Sequence, residues 1–353
     1  MTSSAATAVV PGLVSVITPC YNAAPFVGET LAAVRAQTYA PVEHIVVDDG
    51  SRDESWAVIA AAGRRPAPLR AVRLAQNGGA SHARNVGAAL ARGEYLMFLD
   101  ADDLLAPDTL AALVAAVRDR PGSMGVCSWQ RLRRSREGAW VLVAPEAPLP
   151  VPGADHIREY LTAMCVGWVP PCAILWRRDA YARTGGWDES LSSGDDTDLL
   201  LRAMLDDVQI ALATGGEAHY RQHGSDRLSL SADVFSIDRL ESRFRTLDKF
   251  SAQLEVRGTV GAYAMPLGVV YQEQARLCYQ QGFVKLGRQF QVRGEQLANG
   301  PRLVPRSRAG RVLYRALGLE RKERMMQTLA AWGLGSRERR ERARYRAVRN
   351  LRE

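Results

Sequence analysis

Between residues 12 and 118 the chain alternates β-rich runs with helix-length runs four times over, and this rhythm restricts the fold more than any other feature. Strands are expected at 14–18, 43–47, 69–74 and 95–99, with helices at 26–37, 53–62, 81–91 and 107–118. Repeated strand–helix–strand units imply right-handed crossovers and a parallel sheet with helices on both faces. Such a sheet binds ligands beyond the carboxyl ends of its strands. Three polar clusters stand at those ends: Pro19-Cys20-Tyr21-Asn22, Asp48-Asp49-Gly50-Ser51 and Asp100-Ala101-Asp102-Asp103.

The rest of the chain reads less regularly. Residues 131–165 look irregular, with several prolines and an Arg-rich patch at Arg131, Arg133, Arg134 and Arg136. A second block, about 168–229, holds an expected strand at 173–176, a Gly185-Gly186 turn, a helix at 197–205 and a strand at 209–213. From about Ser231 the pattern is helical to the end, broken near 299–305. The expected organisation is an α/β domain over 1–230, with halves at about 12–130 and 131–230, followed by a helical extension over 231–353.

Composition narrows the class of protein. Five cysteines, an odd number without a C-x-x-C pair, argue against a disulfide framework or a zinc site and suit a reducing compartment. The chain shows neither an apolar run approaching 18 residues nor a basic-then-apolar leader, so the expected location is cytoplasmic. The charge is uneven: residues 301–353 hold 16 Lys/Arg against 5 Asp/Glu, a net of +11, which leaves −3 of the total +8 for residues 1–300. An acidic body needs a cation to hold a phosphate, and a basic tail with apolar residues suits the inner face of an anionic membrane. Interleaved aromatics are missing from the tail, so nucleic acid is not an expected partner.

Each polar cluster has a bland and a chemical interpretation. Asp100 to Asp103 supply the carboxylates that Mg²⁺ or Mn²⁺ accepts alongside water and phosphate, or else they cap a turn before the next helix. Asp49 sits in a tight turn with Gly50, or accepts a nucleobase N–H. Asp195, Asp196 and Asp198 favour a helix start through the helix dipole, and one of them could act as a general base. Asp198 and Arg202, at i,i+4, read as a surface pair. Arg221 and His223 would stabilise a departing pyrophosphate, or lie in a loop without a ligand.

The order of these segments is more specific than any one of them. The chain resembles the family 2 glycosyltransferases, inverting enzymes of the GT-A fold, whose Rossmann-like, mostly parallel sheet is flanked by helices. The matching text runs from 14–22 through Val46-Val47-Asp48-Asp49-Gly50-Ser51, Asn77-Gly78-Gly79, Ala83-Arg84-Asn85, Gly93-Glu94-Tyr95 and Phe98-Leu99-Asp100-Ala101-Asp102-Asp103. It continues through Gly185-Gly186-Trp187-Asp188-Glu189 and Gly194-Asp195-Asp196-Thr197-Asp198 to Tyr220-Arg221-Gln222-His223, covering roughly 12–230.

The resemblance implies a hexosyltransferase of bacterial polysaccharide biosynthesis. It would take a UDP-sugar and a divalent metal and act on a saccharide or lipid-linked acceptor. Pro19, Tyr21 and Asp49 would line the base and ribose pocket, with Arg84 on the nucleotide side or fixing the 77–79 loop. Asp100 would face the ribose or sugar. Asp102 would bind the metal, with His223 as a further ligand, and Arg221 would hold the diphosphate. Trp168 would stack on the acceptor, while Trp187 reads as core. The family's Glu-Asp base motif is Asp195-Asp196 here, one methylene shorter at the first position, and Asp196 takes the place of the base. A nucleotidyltransferase would show a Gly-rich basic N-terminal loop, which is missing. A catalytically silent module that binds nucleotide-sugar or glycan is the alternative of a different class.

Overall fold

The structure is a computed structural model describing residues 8–63, 69–135, 137–143, 150–151, 153–163, 169–222, 236–301 and 308–331. The chain divides into two compact units, Met1–Asp233 and Val234–Glu353. His223, Trp168 and the basic tail beyond residue 331 lie outside the described residues.

The first unit is built on a nine-stranded sheet. Its N-terminal half sets β1 (Val10–Cys20), β2 (Val42–Asp48), β3 (Leu69–Arg73) and β4 (Gly93–Phe98) in the spatial order β3-β2-β1-β4, all parallel. Between them run α1 (Ala24–Arg35), α2 (Ser55–Gly63) and α3 (Ala80–Leu90). β1 is buried without a break from Leu13 to Cys20, as expected of a central parallel strand covered on both faces. Full burial of Val16, Ile17, Val46 and Phe98 removes side chains worth about 1.5–3 kcal/mol each from water. Pro19 prolongs β1 against Val47 of β2, while pairing with β4 ends at Ile17–Phe98, so the missing N–H breaks no ladder on that side.

Beyond β4 the sheet becomes mixed. β8 (Ile174–Arg177) runs antiparallel to both β4 and β6 (Ser123–Arg134). β9 (Gln209–Gln222) is parallel to β6, and the short β5 (Leu104–Leu105) pairs antiparallel with β9. β7 (Trp140–Val143) lies antiparallel on β6. The remaining helices of this unit are α4 (Thr109–Val117), α5 (His156–Ala163), α6 (Arg178–Thr184) and α7 (Asp195–Leu205). Residues 131–165, expected to be irregular, thus contain the end of β6, all of β7 and α5.

Close packing of α3 positions one end of the site. Gly87 lies against β1 so tightly that a Cβ there would collide with Ile17 Cγ2. Arg84, three residues earlier and therefore on the same helix face, is carried toward the end of β4.

The second unit consists of α8 (Ile237–Val256), α9 (Val260–Gln281), α10 (Val284–Ala298) and α11 (Arg308–Ala331), the last interrupted at Gly318. α9 and α10 cross where Gly268 and Gly294 face each other, and a Cβ on either would come within 2.7 Å of the other's carbonyl oxygen. Among the described residues no helix is long and apolar enough to cross a membrane.

Candidate functional site

The ends of β1, β2 and β4 bring the three polar clusters to one edge of the sheet. Asp49 is buried, its N–H bonded to the Cys20 carbonyl at 2.8 Å. Its two carboxylate oxygens accept the backbone N–H groups of Gly78 and Gly79, each at 2.8 Å. Asp49, rather than Arg84, therefore closes the 77–79 loop, and each oxygen retains a lone pair for a further donor. Pro19 is buried beneath this edge, and Tyr21 is 44% exposed.

Arg84 joins parts of the chain that are far apart in sequence. It donates from Nη2 to Asp100 Oδ1 at 2.7 Å and from Nη1 to Asp195 Oδ2 at 2.8 Å. The guanidinium lies 4.3 Å from the Trp187 ring centre, and Ser81 Oγ also donates to Asp195 at 3.2 Å. Burial opposes the charge on Arg84, but Asp100, Asp195 and Asp196 outweigh it and hold its pKa above the usual guanidinium range. Asn85 braces the same junction, donating to the Trp187 carbonyl at 2.9 Å and accepting the Trp187 N–H at 3.0 Å. Trp187 is buried against Phe98, with ring centres 5.1 Å apart. The Ala83-Arg84-Asn85 and Gly185–Glu189 segments thus form one structure, a contact for which the sequence carries no local signal.

Asp195 and Asp196 open α7 after Gly194, which is left-handed at φ 77°. The neighbours of the two differ. Asp195 is held by Arg84 and Ser81, whereas Asp196 accepts the Thr197 N–H at 2.7 Å. Burial, and then the Asp195 charge, push the Asp196 pKa up to about 6. Asp198 and Arg202 are not a surface pair. Asp198 is buried, and Arg202 also donates to the carbonyls of Thr184 and Gly186, fixing the Gly185-Gly186 turn.

At the end of β4, Asp102 is half-buried and Asp103 buried. Asp103 does more than cap the turn, because its Oδ1 accepts the Arg221 N–H of β9 at 2.8 Å. Burial, and then the charges of Asp102 and Asp100, raise the Asp103 pKa well above the usual carboxylate range. Arg221 donates from Nε to the Asp102 carbonyl at 2.7 Å and from Nη2 to Glu29 at 2.6 Å. Its guanidinium, with the side chain 1% exposed, sits between the rings of Phe26 at 4.9 Å and Trp140 at 4.7 Å. Arg221 therefore supports the 100–103 loop by holding its backbone. The Thr30 hydroxyl of α1 adds contacts of 2.9 Å to the carbonyls of Ala101 and Asp103.

The site thus combines Asp100, Asp102, Asp103, Asp195 and Asp196 with two buried arginines. Among the described residues no three His, Cys, Asp or Glu side chains converge as a metal cage. Mg²⁺ held through substrate phosphate needs only one or two carboxylates, so such a cage is not required.

Comparison with known proteins agrees with this architecture. An uncharacterized glycosyltransferase, EpsJ of Bacillus subtilis, is 28% identical over 220 residues, 60% of this chain and 61% of EpsJ, so the match spans less than two thirds of that relative. The amylovoran biosynthesis glycosyltransferase AmsB of Erwinia amylovora is 27% identical over 265 residues, 72% of this chain and 83% of AmsB. The crystal structure of S. aureus TarS 1–349 in complex with UDP-GlcNAc superposes with a TM-score of 0.55 at 17% identity, covering 81% of this chain and 90% of that one, and shares the GT-A fold. The family model for glycosyl transferase family 2 matches residues 15–168, and over this segment the chain is similar to that family.

Proposed function

We propose that the chain is an inverting, metal-dependent glycosyltransferase that moves a sugar from a UDP-sugar to a hydroxyl of a saccharide or lipid-linked acceptor. The observation that carries this reading is the Arg84 bridge. It ties Asp100, at the end of a nucleotide-side strand, to Asp195, beside a carboxylate whose pKa is raised to about 6. A base poised near the working pH is what abstraction of a hydroxyl proton needs.

In this proposal Pro19, Tyr21 and Asp49 receive the base and ribose, Asp49 through the lone pairs left by Gly78 and Gly79. Arg84 orients Asp100 toward the ribose or sugar and keeps Asp195 beside Asp196. The acceptor hydroxyl gives its proton to Asp196 as its oxygen bonds to the anomeric carbon. The bond from that carbon to the diphosphate breaks, and the bonding pair leaves with the diphosphate. His223 and Trp168 keep their proposed places at the metal and the acceptor. Arg221 acts by fixing the Asp102 backbone. That TarS holds UDP-GlcNAc in the same fold supports a UDP-sugar donor.

The residues present fit a divalent cation. Burial, and then the charges of Asp102 and Asp100, raise the Asp103 pKa, and those of Asp103, Asp100, Asp102 and Asp196 reinforce the effect of burial on Tyr220. This is an excess of negative potential that a hard cation relieves. Asp102 would hold Mn²⁺ or Mg²⁺, which when bound neutralises charge on the departing diphosphate. Asp102→Ala is expected to weaken UDP binding about tenfold or more in the presence of Mn²⁺, and to leave binding in EDTA unchanged. Calorimetric titration of UDP under both conditions checks this, and equal isotherms for wild type and variant in Mn²⁺ would remove Asp102 from the metal site. Release of UDP with a glycosylated product separates a transferase from a silent binding module.

A further inference from the structure

Arg131 and Arg133 of β6 make none of the contacts described for the donor site. In the register of the sheet, Arg131 lies opposite Tyr220 of β9 and Val143 of β7, and Arg133 lies opposite Gln222 and Val141. Directly opposed residues share a sheet face, and successive residues alternate between faces. Leu132 and Arg221 therefore point to the face that meets Phe26 of α1, while Arg131, Arg133, Tyr220 and Gln222 share the other. The contacts agree. Arg133 Nε donates to Gln222 Oε1 at 2.5 Å, Arg131 lies 5.8 Å from the Trp129 ring centre, and Trp129 meets Tyr220 edge-on at 6.4 Å and 85°.

This second face leads to the carboxylates. Tyr220 precedes Arg221, whose N–H is bound by Asp103, and the Tyr220 hydroxyl is raised first by burial and then by Asp103, Asp100, Asp102 and Asp196. A cationic row thus runs outward, one strand over, from Tyr220, the neighbour in the chain of the Arg221 that Asp103 holds. Two arginines two positions apart on one face of a strand have Cα atoms about 6.6 Å apart, so both guanidinium groups can serve one diphosphate or neighbouring phosphates of a phosphodiester chain. The guanidinium fork matches phosphate oxygens in pairs.

We infer that Arg131 and Arg133 form an acceptor subsite for phosphate, so that the acceptor carries a diphosphate or phosphodiester a short distance from the hydroxyl that is glycosylated. The inference rests on the proposed glycosyl transfer. The source of the phosphate is either a lipid-linked diphosphate or a soluble phosphodiester polymer, and the two are separated by the probes below.

The full chain is first titrated with UDP and Mn²⁺; failure at this step overturns the transfer reading and with it the subsite. The UDP-loaded protein is then titrated with geranyl-diphosphate-linked N-acetylglucosamine, with a glycerol-phosphate trimer, and with neutral di-N-acetylchitobiose. At least one phosphate probe is expected to bind about tenfold tighter than the neutral sugar, and the tighter of the two identifies the source. The double variant Arg131→Gln/Arg133→Gln is expected to lose about tenfold or more of that affinity, with Arg133→Lys falling between it and wild type. Wild-type affinity for the phosphate probe is also expected to fall about tenfold between roughly 50 and 300 mM NaCl, a readout independent of any variant's folding. A neutral sugar that binds as well as both phosphate probes, a double variant within twofold of wild type, or salt-independent binding overturns the subsite.

Discussion

Asp196→Asn is expected to retain UDP binding and to lower the transfer rate by about 10²–10⁴-fold, equivalent to about 2.7–5.4 kcal/mol in the barrier. The amide preserves the size of the side chain and can still accept the Thr197 N–H, but it cannot take a proton. The contrast with Asp195 makes the test selective. Asp195 is committed to Arg84 and Ser81, so Asp195→Asn removes an ion-pair partner and should cost stability as well as rate. The pH profile gives a second readout. Burial, and then Asp195, raise the pKa of Asp196 to about 6, so below that pH it would be protonated and unable to serve as the proposed base. In wild type kcat/KM should rise with pH through about 6 and level above it, and Asp196→Asn should lose this acid limb. Near-full activity in Asp196→Asn, with the limb retained, would transfer the role of base to Asp195.

The sequence displayed the N-terminal half of the fold plainly because parallel strands there are short, apolar and followed by helices. Every expected element from 14 to 118 is present within a few residues of its expected limits. Residues 131–230 were harder to read for definite reasons. β6 ends in Arg131, Leu132, Arg133 and Arg134, a polar stretch that reads as a loop until β9 and β7 are placed on either side. β9 was expected to stop at Ala213. Its pairing with β6 breaks there, where Val126–Leu212 gives way to Ser128–Glu217, and the intervening residues include Gly215 and Gly216 at positive φ. The strand then resumes and delivers Tyr220 and Arg221. The individual site residues were legible as motifs, but their partners were not. Arg84 meets Asp195 111 positions away and Arg221 meets Glu29 192 positions away, separations at which no periodicity in the chain reports contact.

The largest stability effect is expected at Arg84. Arg84→Gln removes the cation shared by Asp100 and Asp195 and the group stacked on Trp187. The shorter amide cannot span both carboxylates, so Asp100, Asp195 and Asp196 are left facing one another without a counter-charge. Breaking a buried ion pair by removing one partner costs about 3–5 kcal/mol. Here the Asp100 and Asp195 side chains remain 30% and 20% exposed and can recover some hydration, so the lower end, about 3 kcal/mol, is expected. Urea denaturation should show a lower midpoint with an unchanged slope. Arg84→Lys keeps the charge but replaces a two-armed fork with a point donor, and should recover only part of the loss. Mn²⁺ provides the decisive comparison. Carboxylates deprived of Arg84 gain affinity for a cation, so the metal should stabilise Arg84→Gln more than wild type. Equal stabilisation of the two proteins would mean that Arg84 neutralises none of the charge a metal would meet, and the bridge would then be structural alone.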